Sequence, residues 1–267
     1  MKLFSGDDHA KILEQQIKDY IRIKPVSGSL AIVQIGENDG STVYANLKKR
    51  FCDRVGISAE VFTIDENLPD PDIIHTVQEI LNRSGLSGGI IQLPLPRESL
   101  SPVLGVIPLE KDIDMLSPES KRRFYSGEFD KLSPAVRAFD YFLTQAQIDL
   151  DGLSVGILGY GELVGRPIAH YASFLGADVE VIGYYEKKKH LDYQLVVTSA
   201  GVSHLLDPAD LADGCSVVDF GFSRLDGKIV GDLDMTKDLS HLDVICPSPG
   251  GEGPLVVRFL IMNFLGM

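Results

Sequence analysis

The chain has 267 residues, 44% hydrophobic and 24% charged, which is ordinary for a soluble globular protein and long enough for one or two domains with real cores. Its formal net charge of −13 opposes nucleic-acid binding, because the summed field repels phosphates. No apolar run approaches the roughly 20 residues that span a bilayer, and "MKLFSGDDHAKILEQQ" puts two aspartates after a very short apolar patch, unlike a secretory signal; a cytoplasmic protein with no membrane or nucleic-acid partner is expected.

The elements then follow in chain order. "DDHAKILEQQIKDYI" reads as an amphipathic helix and "SLAIVQIG" (29–36) as a strand. Over 39–57, Asp39 or Ser41 suits a helix cap, Val43, Leu47, Phe51 and Val55 recur every four residues as an expected buried stripe, and Gly56 suits the left-handed residue that ends the helix. Tyr44 and Lys48 share one face beside that stripe; from spacing alone they are either a working pair or two residues of a solvated face. "AEVFTI" (59–64) and "GGIIQL" (88–93) are strands around the helix "PDIIHTVQEILNR", and Gln92 stands at a C-terminal strand end, where α/β sheets bind ligands. A structural amide bonded to backbone would place it equally well.

Residues 116–133, "LSPESKRRFYSGEFDKLS", are polar and without a clean period, and mark the expected domain junction. After the helix "PAVRAFDYFLTQAQI", the strand "LSVGILG" (153–159) runs into Gly159-x-Gly161-x-x-x-Gly165 and a helix carrying Ile168, Ala169, Tyr171 and Ala172. Strand, glycine loop, helix and the second strand "DVEVIG" (178–183) match a mononucleotide-binding unit, in which glycines let backbone approach a pyrophosphate at a helix start. At the end of that second strand Glu186 favours the ribose hydroxyls of NAD, whereas Lys187, Lys188 and Lys189 favour the 2′-phosphate of NADP. "QLVVTSAG", "SVVDFG" and "LDVICP" are further strands, and "CPSPGGEGPLVVRFLIMNF" is a glycine-proline loop leading into an apolar helix. Near-continuous apolar runs make the sheets parallel and buried on both faces. Three scattered cysteines and six single histidines, without CxxC or HxxxH spacing, argue for buried free thiols and against a metal site.

In this order the segments resemble the bifunctional methylenetetrahydrofolate dehydrogenase/cyclohydrolase family. The similarity, from about residue 30 onward, rests on "STVYANLKKRF" against S-x-x-Y-x-x-x-K and "GGIIQLPLP" against G-I-x-V-Q-L-P-L-P. It extends to "PLEKDID" against P-x-K-D-V-D-G, "VVDFGF" against V-I-D-V-G-I, "GDLDM" against G-D-V-D-F and "CPSPGGEGP" against T-P-V-P-G-G-V-G-P.

The resemblance implies two α/β domains with a cleft between them: a catalytic, folate-binding domain over 1–133, with the final helix (254–267) packing back onto it, and a Rossmann-like domain over 134–253. It implies Tyr44 lining the folate, Lys48 as the acid/base group, Gln92 holding Lys48 and folate, and Asp114 anchoring the pterin. Leu93, Pro94, Pro249, Gly250 and Gly251 would complete the substrate site, and Gly159, Tyr160, Gly161, Leu163, Val164, Tyr184, Glu186, Ala200, Gly201 and Phe222 the site for NAD or NADP. A homodimer is implied as well. Several positions depart from the pattern. G-R-S is Gly159-Tyr160-Gly161 here and H-S-x-T is Gly183-Tyr184-Tyr185-Glu186, both weakening 2′-phosphate recognition and leaning toward NAD. The glycine after Asp114 is Met115, P-C-T-P is reduced to Ser133-Pro134-Ala135, and Glu252 replaces an apolar residue. These changes keep two other functions open: a non-catalytic nucleotide or metabolite sensor on this scaffold, and another two-domain dehydrogenase of the shikimate or amino-acid type. Short-chain dehydrogenases also use Tyr-x-x-x-Lys, but after their glycine loop, whereas Tyr44 and Lys48 precede Gly159.

Overall fold

In a computed structural model of the chain the backbone is described for all residues except 38, 184 and 186–189, and side chains except those of these residues and 39–41. The chain divides into two compact units, Leu13–Ser133 with Leu260–Met267, and Met1–Ile12 with Pro134–Phe259. The first 12 residues therefore fall with the later part of the chain, against the expected boundary, because β1 (Lys2–Leu3) pairs in parallel with β11 (Val244–Cys246). The divisions lie inside α1 (Gly6–Ile23) and α7 (Glu252–Leu265).

The unit built on 13–133 holds a three-stranded parallel sheet of order β3-β2-β4, from β2 (Ser29–Ile35), β3 (Ala59–Ile64) and β4 (Leu86–Ile91). Strand β2 is buried almost throughout, as a central parallel strand must be. The crossovers are α2 (Asp39–Val55) and α3 (Asp70–Leu81). Ile73, Val77, Ile80 and Leu81 of α3 pack with Ala31, Val33 and Ile91 into one apolar core, and α3 starts with Pro at its first turn and two aspartates where the helix dipole favours them.

Helix α2 buries only the C-terminal half of the expected stripe. Phe51, Cys52, Val55 and Ala45 are inside, but Val43 and Leu47 are 47% and 36% exposed. At about 100° per residue a strict four-residue step walks around the helix, so the stripe cannot stay inward over its whole length. The inward face runs beside Tyr44 and Lys48, both half-buried.

Residues 116–133 end at a division between the two units, as expected of the junction, and are partly helical. They contain α4 (Pro118–Tyr125), whose N-cap Ser117 accepts from Ser120 N at 3.1 Å, with Phe124 as its buried anchor. One apolar anchor in eight residues is too little period to read. Ser117→Ala is expected to destabilise this unit by about 1 kcal/mol, seen as a lower urea midpoint at unchanged slope.

The second unit carries a six-stranded parallel sheet, order β1-β11-β8-β7-β5-β6, from β5 (Ser154–Leu158), β6 (Asp178–Ile182), β7 (Leu195–Thr198), β8 (Ser216–Asp219), β1 and β11. Order reverses about β5, and the loops after β5 and β7 leave from this switch point, the usual ligand-binding position of an open α/β sheet. Helices α5 (Pro134–Ala146) and α6 (Gly165–Phe174) belong to the unit, α6 burying Ile168, Ala169, Tyr171 and Ala172. A short antiparallel hairpin, β9 (Ser223–Leu225) and β10 (Lys228–Val230), follows β8. Cys52, Cys215 and Cys246 are free and buried.

Candidate active site

In the 13–133 unit, α2 presents Tyr44 and Lys48 beside its inward face and β4 delivers Gln92 just past its C-terminal end. Lys48 Nζ donates to Gln92 Oε1 at 3.0 Å. The orientation of the amide is fixed, because Gln92 Nε2 donates to its neighbour's carbonyl, Leu93 O, at 2.8 Å. Gln92 is buried, Leu93 partly so, and Pro94, joined by a cis peptide bond, is exposed.

Charge is disfavoured throughout this site. Burial pushes the Lys48 amine below its ordinary value, with the Asp114 carboxylate opposing the shift. Burial pushes the Asp114 carboxyl up, opposed by Lys48 and reinforced by Asp112. Tyr44 is also raised by burial. A lysine beside a neutral amide acceptor in a desolvated setting is the arrangement that leaves an amine partly uncharged and able to pass a proton.

The loop carrying Asp114 is pinned from several directions. The Asp112 carboxylate accepts from Leu116 N at 3.0 Å and Ser117 N at 2.8 Å. Lys131 Nζ donates to Asp112 O at 2.5 Å, and Asn263 Nδ2 to Ile113 O at 2.9 Å. Met115 keeps the left-handed backbone, φ 61°, that a glycine would supply more easily, so losing glycine here has not lost the turn. Gln34, missed in the sequence, is buried and donates to Gly36 O at 2.8 Å and Thr42 Oγ1 at 2.7 Å, tying β2 to the start of α2. An amide inside an apolar run was its available signal.

In the other unit, Gly159 turns the chain out of β5 and Gly165 starts α6. A Cβ at Gly165 would lie 1.9 Å from Gly159 O, so the close return of this loop requires a glycine. Gly161 faces open space, leaving room for a ligand backbone or phosphate. Tyr160, Leu163 and Phe222 are apolar and exposed, at 49%, 43% and 41%; Ala200 and Gly201 are exposed on the loop after β7, and Val164 is partly buried. Backbone cradle and bare apolar surface at the switch point fit a dinucleotide. The Arg166 guanidinium lies 5.3 Å from the Tyr160 ring centroid and pairs with Glu162. Tyr184, expected at the nucleotide, and Glu186, expected at the ribose, lie outside the described residues, as do Lys187, Lys188 and Lys189.

Pro249, Gly250 and Gly251 follow β11, with a cis Ser248–Pro249 bond. Glu252, first residue of α7, is 1% exposed. The Cys246 thiol donates to its Oε1 at 3.5 Å, while Oε2 has no hydrogen-bond partner among the described residues. Burial pushes this carboxyl up to about 8. Among the described residues no group of three or more His, Cys, Asp or Glu converges to hold a metal ion, and no helix is long and apolar enough to cross a membrane.

The family model for the tetrahydrofolate dehydrogenase/cyclohydrolase catalytic domain matches residues 4–114, and that for the NAD(P)-binding domain of the same family matches residues 134–267. The chain belongs to the tetrahydrofolate dehydrogenase/cyclohydrolase family. The Bifunctional protein FolD of Aquifex aeolicus is 30% identical over 98% of this chain and 94% of its own length. The crystal structure of the bifunctional enzyme FolD from Campylobacter jejuni, 28% identical, superposes with a TM-score of 0.90 over 100% of this chain and 98% of that one. The Trypanosoma brucei enzyme, solved with NADP and an inhibitor, shares the fold with a TM-score of 0.88 at 23% identity, over 98% of this chain and 95% of that one.

Sequence reasoning also missed Thr198, Asp219 and Asp232, which hydrogen-bond one another or the loops after β7 and β8. The signal for the two aspartates was present in "VVDFGF" and "GDLDM", where an acidic residue closes or opens an apolar segment and must find donors when buried.

Proposed function

We propose that this FolD-family chain oxidises 5,10-methylenetetrahydrofolate to the 5,10-methenyl cation with NAD(P), and hydrolyses that cation to 10-formyltetrahydrofolate. The observation that carries this reading is the Lys48 amine, lowered by burial and held 3.0 Å from the Gln92 amide oxygen.

Bound NAD(P) supplies the hydride acceptor of the first reaction. In the second, water adds to the methenyl carbon and gives one proton to neutral Lys48. The resulting ammonium returns that proton to the ring nitrogen as its bond to the carbon breaks, and the second water proton leaves to solvent as the formyl carbonyl forms. Gln92 orients the amine, Asp114 anchors the pterin and Tyr44 lines its face; Leu93, Pro94, Pro249, Gly250 and Gly251 are assigned to the substrate. Gly159, Tyr160, Gly161, Leu163, Val164, Tyr184, Glu186, Ala200, Gly201 and Phe222 are assigned to the nucleotide. Loss of a guanidinium at Tyr160, with Arg166 engaged by Glu162, supports NAD over NADP. A homodimer through the nucleotide-binding unit is supported by apolar exposure at Phe174 and on edge strand β6 at Val181.

The test is direct. Purified protein is given methylenetetrahydrofolate with NAD and with NADP, and methenyl absorbance is followed; folded protein that turns over with neither nucleotide contradicts the proposal. Gln92→Glu would set a carboxylate against the amine and favour its charged form. Cyclohydrolase activity at neutral pH is then expected to fall about tenfold, and the pH-rate profile to move to higher pH.

A further inference from the structure

Two aspartates that carry no role in the chemistry above tie together the loops at the ligand-binding edge of the six-stranded sheet. Asp232, wholly buried, uses both carboxylate oxygens on the loop after β7. Its Oδ2 accepts from Ala200 N and Thr198 Oγ1, each at 2.6 Å, and its Oδ1 accepts from Val202 N at 2.8 Å. Asp219, at the end of β8, accepts from Gly221 N at 2.7 Å, Asp232 N at 3.2 Å and Leu233 N at 2.9 Å.

The connections continue outward from this pair. Ser199 Oγ donates to Gly159 O at 3.0 Å, tying the β7 loop to the glycine loop. Ser248 Oγ donates to Gly221 O, tying the β8 loop to the segment that leads into Pro249 and Gly250. Space is equally specific: a Cβ at Gly231 would lie 2.1 Å from Asp219 Oδ2, and one at Gly221 would lie 2.3 Å from Asp232 Cγ.

We propose that Asp232, braced by Asp219, is a positioning residue for nucleotide binding: it holds the backbone at residues 200–202 and, through Asp219, Gly221 and Phe222, in the arrangement that receives a nicotinamide dinucleotide. This rests on the nucleotide site proposed above. A carboxylate is required because each of its two oxygens takes a backbone N–H. An asparagine has one acceptor oxygen, so in either amide orientation its NH2 group confronts Ala200 N–H or Val202 N–H. A longer side chain has no room beside Gly221.

The test uses full-length protein and two reactions measured side by side. Asp232→Asn is expected to raise the nucleotide KM and Kd about tenfold or more, since a backbone N–H then faces a donor in place of its acceptor. Cyclohydrolase kcat, which depends on Lys48 and Gln92 of the 13–133 unit, is expected to stay within about threefold. Thr198→Val, which deletes a single donor to Asp232, is expected to give a smaller rise, about twofold to fivefold, and decides the matter if Asp232→Asn does not fold. Val196→Ala, a core truncation in the same strand, is expected to lower the thermal midpoint without moving the nucleotide KM. Unchanged nucleotide affinity in the folded variants overturns the proposal, as does a parallel loss of both activities, or a nucleotide KM raised equally by Val196→Ala. Wild-type protein that binds neither NAD nor NADP removes the underlying site and this proposal together, which sets that outcome apart from failure of the aspartate variants alone.

Discussion

Lys48→Met is expected to lower cyclohydrolase turnover by about 10²–10⁴-fold, the range a positioned acid/base group contributes. Methionine has similar length and no titratable group, so the space at Lys48 stays filled while the proton carrier is lost. Replacing a group that is costly to charge relieves its desolvation, while the buried Asp114 carboxyl loses the amine that opposes its upward shift and stays protonated instead. The thermal midpoint is therefore expected to change little while turnover collapses. The wild-type rate should increase with pH as the lowered amine deprotonates, and that limb should vanish in the variant. A variant that keeps wild-type cyclohydrolase turnover would remove Lys48 from the mechanism. Loss of turnover together with loss of folding would instead assign Lys48 to structure.

Much of this site was legible because its parts are tied to strong local signals. Parallel strands buried on both faces write apolar runs into the sequence, so β2, β4, β5, β7 and β8 could be read, and Gln92 falls where one such run stops. The glycine loop was readable because a backbone return as close as that of Gly165 onto Gly159 excludes any side chain. What could not be read depended on partners distant in sequence. Val43 and Leu47 looked like core because a four-residue repeat resembles a helical stripe over two turns, and only the direction of packing shows that Tyr44 and Lys48 are half-buried instead. Strand β1 is two residues long and exists through its pairing with β11. Asp219 and Asp232 lie 13 positions apart, and no spacing rule announces that their carboxylates meet five backbone N–H groups, counted as Ala200, Val202, Gly221, Asp232 and Leu233.

Glu252 supplies the other large effect, in stability rather than turnover. Its carboxyl is pushed up to about 8, against about 4.3 for an unperturbed glutamate. The folded protein thus holds a proton that the unfolded chain releases, so Glu252 makes stability fall as pH rises from about 4.5 to about 8, and contributes no further slope above that. Asp219, pushed up to about 7 mainly by burial, acts in the same sense over a lower window. The neighbouring Cys246 thiol is raised well above its ordinary value and stays uncharged across both windows. Glutamine keeps the shape of Glu252 and cannot ionise. Glu252→Gln is therefore expected to be more stable than wild type at pH 8.5 by on the order of a few kcal/mol, and within about 1 kcal/mol of it at pH 5. Chemical denaturation of both proteins at the two pH values checks this, and taking their difference cancels every other titrating group, Asp219, Lys48 and Asp114 included. Equal pH slopes for the two proteins would mean that the carboxyl ionises normally inside the fold, served by a donor to Oε2, and the burial argument for this residue would be wrong.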